Sequence, residues 1–80
     1  MNSQFTATFR HAFRRLSKQD QARLVAAIEQ FATTGRGDVR PLSGRPGDGR
    51  LRLGKWRTVF RPPAPDVIEF FDVDNRGQAY

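Results

Sequence analysis

A segment rich in glycine and proline divides this 80-residue chain into two parts with different hydrophobic periodicity. Residues 34–49 contain five glycines and two prolines, which favour turns and interrupt both helices and strands. Before this segment the apolar residues recur at helical spacing, and after it they alternate with charged residues as in strands. The order predicts an α+β fold in which an N-terminal helical hairpin packs on one face of a small antiparallel sheet.

The phenylalanines near the N-terminus stand four positions apart, which is the spacing of one face of a helix. This pattern predicts a first helix that ends at about Leu16. Residues 2–6 could instead start as a short edge strand, and the sequence leaves both alternatives open. The apolar positions of this first pattern are Phe5, Phe9, Phe13 and Leu16.

A second helix is predicted to begin after Ser17. Serine is a favoured N-cap, and Asp20 stands three positions later, which comes close to a capping box. Gly35 predicts the end of this helix, because glycine readily takes the left-handed conformation of a helix C-terminus. The connection between the two helices is short, so we expect an αα-hairpin. The predicted apolar face of the second helix comprises Leu24, Val25, Ile28, Phe31 and Ala32.

The last part of the chain predicts strands. Arginine and leucine alternate over residues 50–53, so that two leucines face the core and two arginines face outward. Gly54 and Lys55 fit a tight turn that leads into a returning strand over residues 56–61. Residues 62–66 predict a loop, because proline cannot donate a hydrogen bond to a ladder. Beyond this loop we expect a third strand over 67–73, a turn at 74–75 and a short last strand over 76–80.

Composition restricts the class of protein. Cysteine is absent, which excludes disulfides, thiolate metal sites and a cysteine nucleophile. The longest apolar run is far too short to span a membrane. The first residues lack the basic and apolar regions of an export signal. We therefore expect one cytoplasmic domain over residues 1–80, with no cofactor and no bound metal ion.

The positive charge is concentrated in one segment. The formal net charge is +6, and residues 36–61 contain eight basic residues against two acidic ones, which accounts for the whole excess. Such a concentration favours a polyanionic partner. Most of these residues are arginines, whose planar guanidinium forks onto phosphate or carboxylate. The alternative interpretation is a basic surface that only contacts solvent.

The ordered set of features resembles the RelE/ParE superfamily of toxins. Two amphipathic helices and a loop precede the string Arg-Leu-Arg-Leu-Gly-Lys-Trp-Arg-Thr-Val-Phe-Arg over residues 50–61. This string is similar to the hairpin of that superfamily, with its basic and apolar alternation, a turn, an aromatic-arginine pair and a branched-aromatic pair. Residues 73–80 are similar to its closing strand, in which an arginine precedes a terminal tyrosine. Further similarities lie at Phe9 to Leu16 and in Pro41-Leu42-Ser43-Gly44, so the resemblance covers essentially the whole chain.

The resemblance implies a type II toxin that is neutralised by a cognate antitoxin. RelE-like members are mRNA endonucleases that act in the ribosome, whereas ParE-like members poison DNA gyrase. Our leading hypothesis is a ribosome-dependent, metal-independent mRNA endonuclease that inhibits translation. A gyrase poison without catalytic activity is the first alternative, and a degenerate, non-toxic nucleic-acid-binding member of the superfamily is the second. The oligomeric state stays open.

The resemblance also implies roles for particular residues. The expected catalytic residues are Arg52, Arg57, Arg76 and Tyr80, with the tyrosine acting as a base or as a stacking platform. The residues expected to bind nucleic acid are Arg45, Arg50, Arg52, Lys55 and Arg61. All of these roles require that arginines from separate strands gather on one face of the sheet. The same surface would then also attract the acidic-to-amphipathic antitoxin segment.

A structural role is the alternative for Arg57 and for several other residues. Arg57 is expected to pair with Asp72 or Glu69 rather than to act only in catalysis. Trp56 is expected to cover the core or a sheet edge. His11 is expected on a helix surface, because a lone histidine has no partner signature. Asp72 and a second aspartate two positions later give only a weak metal signal.

Overall fold

The computed structural model describes residues 2–75, which form a five-stranded sheet with two helices packed on one of its faces. The sheet has the strand order β1-β5-β4-β3-β2. The elements are, in chain order, β1 (Asn2–Phe5), α1 (Ala7–Arg14), α2 (Lys18–Thr34), β2 (Asp38–Pro41), β3 (Gly49–Leu53), β4 (Trp56–Ala64) and β5 (Val67–Asn75). The predicted α+β class is therefore confirmed.

The N-terminal residues form an edge strand, so the alternative left open for residues 2–6 is the observed one. β1 pairs in parallel with β5, whereas the other strand pairs are antiparallel. The sheet is therefore mixed, and the prediction of an antiparallel sheet is wrong in this respect. Phe5 lies on the covered side of β1 and packs against the core. The helical crossover between β1 and the later strands permits the parallel pairing.

Thr6 explains why the first helix is shorter than its phenylalanine pattern predicts. Its backbone is extended, and its hydroxyl accepts a hydrogen bond from the Phe9 amide at 3.1 Å. The same hydroxyl donates to the Phe71 carbonyl oxygen of β5 at 2.9 Å. This N-cap fixes the start of α1 at Ala7, and the helix ends at Arg14. The predicted hairpin is thus reduced to a two-turn helix followed by one long helix.

The second helix begins and ends where the sequence predicts. The Ser17 hydroxyl accepts a hydrogen bond from the Asp20 amide, and Gly35 ends the helix with a φ of 74°. Leu24, Ile28 and Ala32 are buried against the sheet. The prediction for Val25 is wrong, because this residue is 42% exposed and lies off the buried face.

Two proline-containing segments take part in the sheet, although the sequence predicts loops for both. β2 lies inside the glycine-rich segment, where Val39 pairs with Leu51 and packs on the core. β4 continues through Pro62 and Pro63 to Ala64. The ladder tolerates these prolines because its register is irregular between Arg61 and Ala64, and proline is accepted at bulges.

The predicted turn at residues 74–75 is also wrong. β5 runs on to Asn75, because Asp74 and Asn75 pair with Arg57 and Trp56 at the end of the ladder with β4. The short last strand predicted over residues 76–80 lies outside the described part of the chain. The predicted hairpin turn at residues 54–55 is confirmed, since Leu53 pairs directly with Trp56.

The core lies between the helices and the covered face of the sheet. Phe70 is fully buried at its centre, with ring centroids of Phe5, Phe9 and Phe60 at 5.8, 6.3 and 5.7 Å. Thr58 is a buried polar residue whose hydroxyl donates to the Asp72 carbonyl oxygen at 2.7 Å. Neither of the two helices within residues 2–75 has the length and apolar character needed to cross a membrane.

Gly49 allows a close approach between β3 and the core, and its replacement by alanine tests this packing. A Cβ atom at this position would lie 2.6 Å from Phe60 Cζ and 3.2 Å from the Arg40 carbonyl oxygen. Overpacking a filled site costs about 1–3 kcal/mol, so we expect Gly49→Ala to lower the free energy of unfolding by that amount. Urea denaturation followed by circular dichroism measures the decrease.

The variant Phe60→Leu supplies the matched background, because it removes the end of the ring that alanine would meet. We expect Gly49→Ala to cost less in this background than in the wild-type chain, which a double-mutant cycle detects. An equal cost in both backgrounds would show that the phenyl ring is not what excludes a side chain at position 49.

Candidate nucleic-acid interface

The face of the sheet turned away from the helices carries most of the strand arginines. Leu51, Thr58 and Phe60 are buried on the covered face. Because side chains alternate along a strand, their neighbours point to the opposite side, which we call the open face. The charged residues that the registers of β2 to β5 place on the open face are Asp38, Arg40, Arg50, Arg52, Arg57, Arg61, Glu69, Asp72 and Asp74, and Val59 lies among them.

Two arginines and two aspartates form a row across four strands of the open face. Arg52 is the register partner of Asp38 on one side and of Arg57 on the other, and Arg57 is the partner of Asp74. Each arginine pairs with the aspartate beside it, which offsets the repulsion between the two guanidinium groups. We call this set, Asp38–Arg52–Arg57–Asp74, the paired row.

The Arg57–Asp74 pair is the better formed of the two ion pairs in this row. Arg57 Nε and Nη2 donate to the two carboxylate oxygens of Asp74, each at 3.2 Å. The Arg57 side chain is 18% exposed, against 49% for Asp74. Arg52 Nε lies 3.7 Å from Asp38 Oδ2, which is an ion pair without hydrogen-bond geometry. The expectation that Arg57 forms an ion pair is confirmed, but Asp72 and Glu69 are the wrong partners.

The next row of the open face has a different charge pattern. Arg40 of β2 and Arg50 of β3 are direct register partners, and Val59 and Asp72 continue the row on β4 and β5. We call Arg40 and Arg50 the open pair, because none of the ion pairs found within residues 2–75 involves either of them. The Asp72 carboxylate at the far end of this row accepts a hydrogen bond from the Val73 amide at 2.8 Å.

The Nε atom of Arg50 is buried and has no hydrogen-bond partner within residues 2–75. Arg40 is exposed on the edge strand, and Arg50 is half-buried beside it. Like charges placed directly opposite each other in a sheet repel. An anion bound between Arg40 and Arg50 would therefore relieve the repulsion between their two positive charges.

The other predicted nucleic-acid-binding residues do not all reach this surface. Arg61 lies on the open face, but its guanidinium bonds to Glu69 at 2.8 Å and lies 5.6 Å from the Phe71 ring centroid. Arg45 is in the connection before β3, and Lys55 is in the turn after β3. These two residues therefore lie at opposite ends of the sheet. The Lys55 ammonium lies 5.4 Å from the Trp56 ring centroid.

The structure thus places Arg50, Arg52 and Arg57 on one face. The predicted catalytic residues Arg76 and Tyr80 lie outside the described residues 2–75, so their predicted roles stay predictions. Sequence reasoning missed Arg40. The alternation of Asp38, Val39 and Arg40 around a residue that packs on the core was the signal that could have identified it.

Two residues with an expected structural role, His11 and Trp56, lie where the sequence predicts. His11 is exposed on α1. Trp56 is half-buried and packs against the core. Within the described chain, no group of three or more histidine, aspartate or glutamate side chains is placed to hold a metal ion.

The largely apolar groove on the other side of the molecule has a different character. It lies between β1, α1 and α2 and has a volume of about 370 Å³. Its polar lining residues are Ser3, Arg10 and Glu29, beside phenylalanines and aliphatic residues. Among the described residues that line this groove, Arg10 is the single cation, so they form no cluster of positive charge that could bind a polyanion. The open face is therefore the candidate site for nucleic acid.

The bidentate geometry of Arg57 and Asp74 predicts a measurable coupling between them. A double-mutant cycle with Arg57→Gln and Asp74→Asn should give a coupling free energy of about 0.5–1 kcal/mol, the upper part of the range for partly exposed pairs. The coupling should decrease in 1 M salt, where the Debye length is only about 3 Å. Urea denaturation of the four variants at low and high salt measures both values.

The Arg52–Asp38 pair is the matched control, because it lies in the same row without hydrogen-bond geometry. Its cycle should give a smaller coupling than the Arg57–Asp74 cycle. A coupling near zero for Arg57 and Asp74 would mean that this ion pair does not hold the guanidinium in solution.

No protein-family model matches this sequence, and no curated protein matches it in sequence. Solved structures do match its fold. The RelB–RelE antitoxin–toxin complex of Methanococcus jannaschii matches with a TM-score of 0.78 and 21% identity, over 96% of this chain and 94% of that one. The isolated RelE toxin of Escherichia coli matches with a TM-score of 0.79 and 17% identity, over 92% and 82% of the two chains.

The toxin–antitoxin complex RelBE2 of Mycobacterium tuberculosis also matches, with a TM-score of 0.60 and 27% identity over 94% of this chain and 96% of that chain. These matches extend over nearly the whole of the chains compared. They confirm, at the level of the fold, the resemblance that the ordered sequence features indicate. This protein has the fold of the RelE toxins.

Proposed function

We propose that this protein is a type II toxin that cleaves mRNA on the ribosome and is neutralised by an antitoxin. The observation that carries the proposal is the presence of Arg50, Arg52 and Arg57 together on the solvent-facing side of a RelE-like sheet. A fold alone does not imply a function, so the arginine surface carries more weight than the overall similarity.

The chemistry available to this surface fits cleavage of RNA without a metal ion. Attack of a 2′-hydroxyl on the adjacent phosphorus, with loss of its proton to a base, forms a pentavalent phosphorane. Departure of the 5′-oxygen, which takes up a proton, breaks the chain and leaves a 2′,3′-cyclic phosphate. Guanidinium groups stabilise the negative charge of that phosphorane and form two parallel hydrogen bonds to its oxygens. We assign this role to Arg52 and Arg57, which are cross-strand neighbours on the open face.

The arginines do not supply the proton transfers of this reaction. A guanidinium stays protonated at neutral pH and cannot accept the proton of the 2′-hydroxyl. We therefore propose Tyr80 as the base or stacking platform and Arg76 as a further phosphate ligand, the roles that the resemblance to the RelE/ParE superfamily implies. The ribosome would complete the site by holding the mRNA in a conformation suited to attack.

An antitoxin partner is proposed on two grounds. Two of the three solved structures described above are complexes of a RelE-type toxin with its antitoxin. Within residues 2–75 the open face also carries an excess of arginines over carboxylates, which would attract an acidic segment that folds on binding. A short reading frame for an acidic protein beside the gene of this chain would support the pairing.

Incubation of the purified protein with programmed ribosomes tests the nuclease. We expect cleavage of the mRNA, and we expect Arg52→Ala to lower the cleavage rate about 100- to 1000-fold, as the loss of one charge-stabilising donor commonly does. Primer extension measures the cleavage. Arg14→Ala is the matched control, because it removes one positive charge from an exposed position on α1. Intact mRNA after incubation with folded wild-type protein would lead us to abandon the nuclease.

Assays of DNA gyrase and of cell growth distinguish the alternative functions. Supercoiling by DNA gyrase should be unaffected at a large excess of this protein, and inhibition would favour the gyrase poison. Induction of the chain without its partner should arrest growth, whereas normal growth would favour a non-toxic nucleic-acid-binding protein. Tyr80→Phe adds a test of the C-terminal tyrosine, since loss of toxicity in a folded variant would support a chemical role.

A further inference from the structure

We propose that the substrate backbone is held by the open pair, Arg40 and Arg50, which together bind a phosphodiester group at the β2–β3 edge of the open face. This inference rests on the proposed function for the identity of the ligand, a single-stranded RNA. It adds Arg40, which the sequence does not single out, and it assigns different tasks to the two rows of arginines.

The charge on the open face is far less positive than the sequence segment suggests. Within residues 2–75, five arginines on this face lie among four carboxylates, so the described part of the face has a net charge of only +1. The carboxylates of β5 come from outside the basic segment and neutralise the β4 arginines. The net charge of the basic segment therefore overestimates the positive charge of this surface.

The remaining positive charge is unevenly distributed across the face. Among the described residues, the β4 and β5 half contains Arg57 and Arg61 against Glu69, Asp72 and Asp74, a net charge of −1. The β2 and β3 half contains Arg40, Arg50 and Arg52 against Asp38, a net charge of +2. The charges of the described residues therefore favour binding of a polyanion on the β2 and β3 half.

Local geometry favours the open pair within that half. Arg52 is partly neutralised by Asp38 at 3.7 Å, whereas none of the ion pairs of the described residues uses Arg40 or Arg50. Arg50 Nε and Arg52 Nε are both buried without a hydrogen-bond partner among those residues, so what distinguishes the open pair is that neither of its arginines takes part in one of those ion pairs. The two arginines are register partners on adjacent strands, close enough for both to reach one phosphate.

The assignment separates binding from chemistry. The open pair would hold one phosphate of the backbone, while the paired row lies two residues further along β3, at Arg52. Asp38 and Asp74 keep the arginines of the paired row in place and reduce their attraction for a phosphate that is not being cleaved. On this reasoning, Arg40 is a binding residue and not a catalytic one.

A single-stranded 2′-deoxyoligonucleotide is the probe, because it carries the same phosphates and cannot undergo attack by a 2′-hydroxyl. We expect Arg40→Gln and Arg50→Gln each to weaken its binding about tenfold, as loss of a charged hydrogen bond does. The slope of log affinity against log salt should also become shallower by about 0.7 for each phosphate that the variant no longer neutralises. Fluorescence anisotropy at several salt concentrations measures both effects.

Two comparisons make this test specific. Arg14→Gln removes the same charge from the helical side of the molecule and should change the affinity by less than about twofold, because non-contacting surface charges add little. The charge-balanced double variant Arg57→Gln/Asp74→Asn should lose less affinity than Arg40→Gln. A larger loss in the double variant would place the phosphate site on β4 and β5 and overturn the proposal.

The remaining outcomes concern the class of ligand. If Arg40→Gln and Arg50→Gln bind the oligonucleotide as the wild-type protein does but lose affinity for a poly-glutamate peptide, the open pair recognises an acidic protein and the proposal is wrong. Oligonucleotide binding is independent of cleavage, so a failed ribosome assay with intact binding would remove the proposed nuclease and leave the phosphate site. In an active enzyme, Arg40→Gln should raise KM with little change in kcat.

Discussion

The pairing of β4 with β5 determines the arrangement of the rest of the molecule. Phe60 and Phe70 face each other across this pair at the centre of the core. The register shift beside them leaves Phe71 as the extra residue between the pairs Val59–Asp72 and Phe60–Phe70, and the Thr58 hydroxyl donates to the carbonyl oxygen of Asp72. The same pair of strands brings the arginines of β4 against the acidic residues of β5. Core formation and charge neutralisation therefore depend on one register.

This register has a consequence for function. A slip of one residue would move every side chain of β5 to the other face, so the ion pairs Arg57–Asp74 and Arg61–Glu69 and the burial of Phe70 are mutually dependent. The register that buries Phe70 therefore also places acidic residues beside the arginines of β4, which neutralises the β4 and β5 half of the open face. What remains positive is the side formed by β2 and β3, where no strand rich in acidic residues is adjacent within the described sheet.

Much of the fold could be predicted from local signals. Ser17 and Gly35 predicted the ends of α2, and Gly54-Lys55 predicted the hairpin, because each of these features depends on residues close in sequence. The errors came from pairing over long distances. β2, the prolines of β4 and the end of β5 are strands because a partner strand lies beside them, which overrides weak local preference. Thr6 shortened α1 through a bond to Phe71, which is 65 positions away.

The part of the candidate site that depends on residues close in sequence could be predicted, and the part that depends on pairing between distant strands could not. Alternation placed Arg50 and Arg52 on one face, and the turn brought Arg57 beside them. The acidic partners on β5 and the position of Arg40 required the strand order, which composition does not contain.

Within residues 2–75, Arg40 and Arg50 are opposed without an ion-pair partner, and this arrangement gives up stability that a substitution could recover. Unfavourable local arrangements of this kind are expected where a protein binds something, since the ligand relieves the repulsion. The Asp38–Arg52–Arg57–Asp74 row shows that the same sheet neutralises guanidinium groups where acidic residues are placed beside them. The contrast between the two rows is therefore the strongest physical reason to regard this surface as a site for an anion rather than as an ordinary solvated face.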